Sequence, residues 1–139
     1  MCVITINGLL AYEFKRGAYN SESFMNFVGN KLSMFFRNNP GKVLIVDNAS
    51  FHHSREVLQK LNNLGINHKF LPPYSPQLNP IEEFFSMLKA RFSSFHNTES
   101  QIETRIENVL SLNYSRECPG FYRNMMEWLE KARAREDFI

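Results

Sequence analysis

The sequence predicts an α/β fold, because short segments with strand character alternate with segments that have a helical apolar period. The clearest strand is Val43-Leu44-Ile45-Val46, which is apolar at every position and ends at an acid. The clearest helix follows Asn79-Pro80, where a good N-cap residue precedes a proline that suits the first helical position. The predicted order is strand, strand, helix, strand, helix, strand and helix, with further helices at the C-terminal end.

The first elements are predicted to be a hairpin and a helix. Residues 2–6 and 9–15 have strand character, and Asn7-Gly8 between them is a strong signal for a two-residue turn. Asn20-Ser21 is predicted to cap a helix that runs to about Arg37. Its apolar face is formed by Phe24, Phe27, Val28, Leu32 and Phe35.

The middle of the chain is predicted to contain two strands with a helix between them. Asn38-Asn39-Pro40-Gly41 breaks the preceding helix, and a buried strand over 42–47 follows. A short helix is predicted over about 54–64, ending at Gly65, whose conformational freedom suits a helix C-terminus. A strand over 66–71 then leads into a proline-rich loop.

The last part of the chain is predicted to be helical. A helix runs from about 80 to 95, and Thr98-x-x-Gln101 is typical of a capping box at the start of the next. Pro119-Gly120 is predicted to separate that helix from the last one. Apolar positions of these two helices include Ile102, Ile106, Val109, Leu110, Phe121, Tyr122, Met125 and Leu129. We predict a single domain over 1–139, with the C-terminal helices at about 98–136.

Composition limits the class of protein. A chain of 139 residues has the length of one domain, and 43% hydrophobic residues with thirteen phenylalanines are ample for a core. The net charge of +2 permits contact with nucleic acid without requiring it. Two cysteines are too few for a disulfide framework, and no apolar stretch is long enough to span a membrane. These features predict an intracellular protein with no membrane partner.

Two carboxylates, Asp47 and Glu82, carry the functional prediction. Asp47 closes the apolar strand, and Glu82 falls in the first turn of the helix that begins at Pro80. Thirty-four residues lie between them. Acids from a strand end and a helix start can bind Mg²⁺ for phosphoryl-transfer chemistry.

The surrounding sequence resembles the catalytic domain of mariner-type DDE transposases. The segment DNASFH at 47–52 is similar to the second-acid motif of that family, and PPYSPQLNPIEEFFSMLK at 72–89 is similar to its third-acid motif. Phe85 stands where relatives often have Trp. The resemblance covers about residues 3–95 and implies a ribonuclease H-like mixed sheet flanked by helices.

The same resemblance implies metal-dependent DNA cleavage by water, followed by strand transfer. Asp47 and Glu82 would then be catalytic acids and ligands of Mg²⁺ or Mn²⁺. DNA is the implied substrate, with a nuclear location if the protein is eukaryotic, and a homodimer or a complex with another transposase subunit is the expected assembly.

The family's first acid, which bridges two metal ions, has no counterpart here. No Asp precedes Asp47, and the only upstream acids are Glu13 and Glu22. Glu13 is predicted to lie in the second strand and Glu22 in the first turn of a helix, so neither replaces it. The chain therefore reads as a truncated domain. We expect weak metal binding and no activity of the chain alone. The alternative is a domesticated, non-catalytic DNA-binding or protein-interaction module.

Each acid also has a purely structural interpretation. Asp47-Asn48 is common turn chemistry. Glu82 is the third helical residue if Asn79 is the N-cap, where its side chain can bond back to the backbone of the cap.

Three further residues are predicted to contact nucleic acid: His52, Lys89 and Tyr74. His52 lies near Asp47 and could orient a phosphate or a water, or could simply cap the following helix. Lys89 is two helical turns after Glu82 and could meet a phosphate, or be an ordinary exposed lysine. Tyr74 could shape a DNA groove, or belong to a rigid proline connector.

The missing upstream strand leads to two structural predictions. In the family that strand lies beside residues 42–47, and unpaired backbone groups in a buried sheet cost roughly 1–3 kcal/mol each. We therefore expect residues 2–6 to pair directly with 42–47 in antiparallel orientation, with strand exchange in a dimer as the second choice. We also expect the side chains of Asp47 and Glu82 to lie near each other.

Overall fold

The computed structural model describes residues 1–94 and 102–134. The predicted capping box at Thr98 and Gln101 lies outside the described residues. The chain forms two compact units. The first unit contains Met1 and residues 13–75, and the second contains residues 2–12 together with the chain from residue 76 onward. The interpretation of 1–139 as one domain stays a prediction. No helix within the described ranges is both long and apolar enough to cross a membrane.

The first unit is built on a short parallel strand pair. Strand β3 (Leu44–Val46) pairs with β4 (His68–Phe70), and α3 (Arg55–Asn63) connects them. Both strands are shorter than predicted. Gly65 follows α3 with a φ of +66°, as its predicted role at the helix end requires. Leu44 and Val46 are buried whereas Ile45 is exposed, so the sheet has one core face.

The predicted helix over 20–37 is interrupted in the structure. Helix α1 (Ser21–Phe27) starts with a capping box between Asn20 and Ser23, and α2 (Ser33–Asn38) ends it. Between them, residues Val28–Leu32 form a π-helical turn. The hydroxyl of Ser33 donates to the Gly29 carbonyl at 2.7 Å, a local bond that bends helices. The interruption nevertheless leaves the predicted apolar face buried at Phe24, Phe27, Val28 and Leu32.

The second unit begins with an antiparallel hairpin, β1 (Cys2–Thr5) and β2 (Gly8–Tyr12). Its turn consists of Ile6-Asn7, so the prediction of Asn7-Gly8 is wrong by one position. Gly8 instead starts β2 with a φ of +131° and lies against the Ser115 backbone. This positive φ favours glycine, so the Asn-Gly pair has the composition of a turn although Gly8 lies in β2.

The predicted pairing of residues 2–6 with 42–47 is wrong. In the described ranges the strands form two separate two-stranded sheets, β1–β2 and β3–β4. Each strand forms backbone hydrogen bonds along one edge with its partner strand, and the two partners belong to the same compact unit. The β1–β2 sheet is antiparallel and the β3–β4 sheet is parallel.

Three helices complete the second unit: α4 (Pro80–Ser93), α5 (Ile102–Leu110) and α6 (Cys118–Arg133). Their core is formed by Phe84, Tyr114 and Cys118, with residues of β1 and β2 packed against it. The Tyr122 hydroxyl also donates to the Ile4 carbonyl at 3.1 Å. Pro119-Gly120 does not separate α5 from α6, because both residues lie in the first turn of α6, where proline is tolerated.

Gly8→Ala should destabilise the second unit. A side chain is strained at the Gly8 φ, so we expect the free energy of unfolding to fall by about 1–3 kcal/mol. Gly120→Ala is the matched control, because Gly120 is helical and its Cβ would meet only the end of Arg123. That control should be neutral or stabilising by about 0.5–1 kcal/mol.

The measurement is urea unfolding followed by the fluorescence of Trp128. This residue is the only tryptophan and lies in α6, so it reports on the second unit. Equal effects of the two substitutions would show that the Gly8 backbone imposes no special requirement.

Candidate metal and nucleic-acid site

Asp47 follows directly after β3, where its carboxylate is fixed by two donors. Oδ1 is 2.8 Å from His52 Nδ1 and accepts the Ala49 backbone N–H at 3.1 Å. In the part of the chain that the structure describes, Oδ2 makes no hydrogen bond. The Asp47 side chain is 53% exposed. The local turn chemistry predicted for Asp47 is therefore present, and one oxygen still faces no protein donor.

His52 is buried at the third position of a 3-10 turn over Ser50–His53. Its side chain is 11% exposed, and its ring centroid lies 4.5 Å from that of Phe24 and 4.1 Å from that of Phe51. The interpretation of His52 as a helix cap is wrong, because Ser54 caps α3 through the Val57 N–H. Contact of His52 with DNA stays a prediction, and little of the ring is exposed for it.

The burial of His52 affects its protonation. Removal from water lowers the pKa of His52 below its ordinary 6.5, and this effect outweighs the opposite effect of Asp47. The ring is thus neutral at physiological pH, with the Nδ1–H donating to the carboxylate.

A second pair at the same spacing lies beside the first. His53 Nε2 is 2.7 Å from Asn48 Oδ1, and the His53 ring stacks on Phe70 at 4.1 Å. The residues of both pairs, Asp47–His52 and Asn48–His53, are five positions apart in the sequence. The 3-10 turn brings each histidine ring back to the end of β3. These bonds were not predicted from the sequence, although the repeated spacing is visible there.

Glu82 is the third residue of α4 and is exposed. Asn79 is the N-cap by position, but its side chain makes no capping bond, and its N–H donates to the Pro76 carbonyl at 3.0 Å. The predicted capping box is therefore not formed. Within the described residues, the Glu82 carboxylate has no hydrogen-bond or ion-pair partner. Glu83 differs, because it accepts from the Asn124 amide.

Asp47 and Glu82 belong to different compact units, so the proximity of their side chains stays a prediction. In residues 1–94 and 102–134, no group of three or more His, Cys, Asp or Glu side chains is arranged to hold a metal ion.

Tyr74 and Lys89 are both exposed. Tyr74 is 100% exposed, and it is the one described non-glycine residue with a positive φ, +54°. This conformation costs a non-glycine residue about 1–2 kcal/mol. A large aromatic side chain is therefore presented to solvent from a strained position between prolines.

A profile of the family described as "DDE superfamily endonuclease" matches residues 1–105. The chain belongs to this family. The match includes Asp47, Glu82 and the four strands found in the described residues, so the family resemblance inferred from the two motifs is confirmed.

One curated relative of this DDE superfamily chain is the human histone-lysine N-methyltransferase SETMAR. The two are 43% identical over 56 residues, which is 40% of this chain and 8% of that protein. The matched segment is thus a small part of the relative.

Solved structures of Mos1 transposase share the fold. The Mos1 catalytic domain with Raltegravir and Mg matches with a TM-score of 0.75 at 17% identity, over 99% of this chain and 75% of that one. A Mos1 paired-end complex with the left transposon end matches with a TM-score of 0.65 at 20% identity, over 92% of this chain and 39% of that one. The predicted ribonuclease H-like α/β fold is confirmed.

Asp47→Asn should lower the pKa of His52 further. The Asp47 charge favours protonated His52, so its removal leaves the lowering effects of burial and of neighbouring His53 opposed mainly by the bond to the backbone carbonyl of residue 47. The pKa is read from the chemical shift of the His52 ring protons as pH is varied. A higher pKa in the variant would contradict this electrostatic account.

The lowered pKa of His52 makes the stability of the folded chain depend on pH. The pKa of His52 is lower in the folded chain than in the unfolded chain. Its contribution to stability is therefore fully present above about pH 6.5 and is lost as pH falls from there through the folded pKa.

Proposed function

We propose that this chain supplies two acids, Asp47 and Glu82, to a metal-dependent site for DNA cleavage and strand transfer. The observation that carries the proposal is that both acids present carboxylate oxygens without a protein partner in the described residues. A structural acid at a strand end or helix start would normally use its oxygens in caps or ion pairs. Family membership adds the reaction class.

The donor set fits a hard divalent cation. Mg²⁺ and Mn²⁺ prefer carboxylate oxygens and water, and Mg²⁺ is usually bound by one or two carboxylates together with substrate phosphates. Asp47 Oδ2 and the Glu82 carboxylate would be the protein ligands. The similar Mos1 domain was solved with Mg and with Mn, which supports this choice. When bound, the metal would activate water or a 3′-hydroxyl and stabilise charge on the phosphate.

Upstream of Asp47, the sequence has no counterpart of the acid that bridges two ions in the family. No Asp precedes Asp47. Glu13 lies just after β2, and Glu22 is exposed in the first turn of α1. Two carboxylates can hold one ion weakly, and a two-metal reaction needs a shared ligand.

The chain alone should therefore neither nick nor join DNA with Mg²⁺ or Mn²⁺. The measurement is conversion of supercoiled plasmid to open circles over a range of metal concentrations. Asp47→Asn is the control, since it removes one proposed ligand at nearly constant side-chain volume. Metal-dependent nicking that disappears in Asp47→Asn would contradict the expected inactivity.

DNA contact is proposed for the two exposed residues, Tyr74 and Lys89, whereas the predicted contact of DNA with His52 is not proposed because its ring is buried. Tyr74 offers an exposed ring on which an unpaired base can stack, and Lys89 offers a charge to a phosphate. The Mos1 complex with a transposon end supports DNA as the partner. Of these residues, Tyr74 is favoured most by the structure, because its strained backbone serves no packing that the structure describes.

Tyr74→Ala should weaken binding of single-stranded DNA. The loss of one stacked base is worth roughly 1–3 kcal/mol. Binding is measured by fluorescence anisotropy with a labelled oligonucleotide at fixed salt. Tyr74→Phe keeps the ring and should bind like the original chain. Equal affinity of the alanine and phenylalanine variants would exclude a stacking role.

A non-catalytic module that binds DNA or another protein is the second candidate function. It is favoured by exposed apolar side chains at β3: Ile45 in the strand is 50% exposed, and Val43 just before the strand is 44% exposed. In the described residues β3 pairs only with β4, and an unpaired strand edge can accept another strand. Measuring DNA affinity with and without Mg²⁺ separates the two candidates. If the chain has the metal site, Mg²⁺ should change the DNA affinity, and Asp47→Asn should remove that change. A non-catalytic module predicts no effect of Mg²⁺ on DNA affinity.

A further inference from the structure

We propose that His52 is a positioning residue for Asp47, whose Nδ1–H bond selects the carboxylate oxygen that is offered to a divalent cation. This inference rests on the proposed function of Asp47 as a metal ligand. It assigns His52 a role within the protein, in contrast to the direct contact with nucleic acid predicted from the sequence.

The first step is the unequal use of the two carboxylate oxygens. Oδ1 receives both the His52 ring at 2.8 Å and the Ala49 N–H at 3.1 Å. Two donors on one oxygen restrict both side-chain torsions of Asp47. Oδ2 is left without a hydrogen bond from the described residues, on a side chain that is 53% exposed. The arrangement therefore prepares a ligand that binds a cation through one oxygen.

The second step is the rigidity of the donor. His52 packs against both Phe24 and Phe51, with ring centroids at 4.5 and 4.1 Å, and its side chain is only 11% exposed. The Phe51 backbone is tied to α1, because the Ser21 hydroxyl donates to its carbonyl at 3.3 Å. The imidazole cannot rotate without disturbing buried aromatic contacts. An exposed acid is thus oriented by the core of its own unit.

The third step is the expected size of the effect. Carboxylates that bind metals are commonly oriented by hydrogen bonds from a second layer of residues, and loss of such a partner typically weakens metal affinity roughly 10–100-fold. An unrestrained Asp47 would sample several rotamers, and only some would present an oxygen to the cation. His52 itself need not touch the ion.

The variants separate the hydrogen bond from the volume of the ring. His52→Asn places an amide N–H near the position of Nδ1 and should retain the bond. His52→Gln places its amide near the position of Nε2, away from Asp47. His52→Phe keeps an aromatic ring and has no donor. His53→Phe is the matched control, since the adjacent His53 bonds Asn48 and stacks on Phe70.

Two readouts are needed. The first is the distribution of Asp47 side-chain rotamers without metal, from NMR couplings, with the backbone spectrum as the test of folding. The second is Mn²⁺ affinity of the full chain, from electron paramagnetic resonance of the free ion. We expect rotamer averaging and roughly 10–100-fold weaker Mn²⁺ binding in His52→Phe and His52→Gln. His52→Asn and His53→Phe should resemble the original chain in both readouts.

The outcomes distinguish this inference from the proposed function. A single Asp47 rotamer and unchanged Mn²⁺ affinity in folded His52→Gln would overturn the positioning role. Unchanged Mn²⁺ affinity in Asp47→Asn and Glu82→Gln would overturn the proposed metal site. The rotamer measurement would still decide whether His52 orients Asp47. If His52→Phe does not fold, the comparison of the Asn and Gln variants carries the test.

Discussion

Burial of one face of the β3–β4 pair is the constraint on which the first unit depends. A strand of only three residues has few hydrogen bonds of its own, so its position is set by Leu44 and Val46 packing into the core. With these two side chains buried, the residue that follows Val46 lies at the carboxyl end of the strand, where the chain leaves the sheet. Asp47 occupies that position, and the 3-10 turn that follows brings back the rings that bond to Asp47 and Asn48.

In the second unit too, an exposed acid lies on an element that is held in place by buried contacts. Phe84 is fully buried in α4 and stacks edge-on against Tyr114 with ring centroids 5.0 Å apart. The Arg91 guanidinium, in the same helix, lies over the Tyr114 ring and pairs with Glu117. Helix α4 is thereby fixed to the loop before α6 at two points. Its first turn, which carries Glu82, is left free of capping bonds.

The sequence was sufficient for the features that depend on local pattern. The apolar run before Asp47 and the Asn-Pro start of α4 located both acids on their elements, and the two motifs identified the family. Features that depend on long-range packing were missed or misplaced. Gly8 starts β2 at a positive φ, beside the backbone of Ser115, which is far along the chain. Tyr114 is a core residue in a polar loop, where no period marks it. The His52 bond requires a 3-10 turn, which spacing alone does not reveal.

The second unit is discontinuous in sequence, and this affects how it forms during synthesis. Its hairpin is made first, but the helices that cover Cys2, Ile4 and Leu9 come after the whole segment 13–75. A ribosome adds about 5–20 residues per second, so the hairpin emerges several seconds before its core exists. A two-stranded hairpin is marginally stable alone in water. The first unit can therefore fold while the apolar side chains of the hairpin are still exposed to water. During this interval those exposed side chains are available to a chaperone.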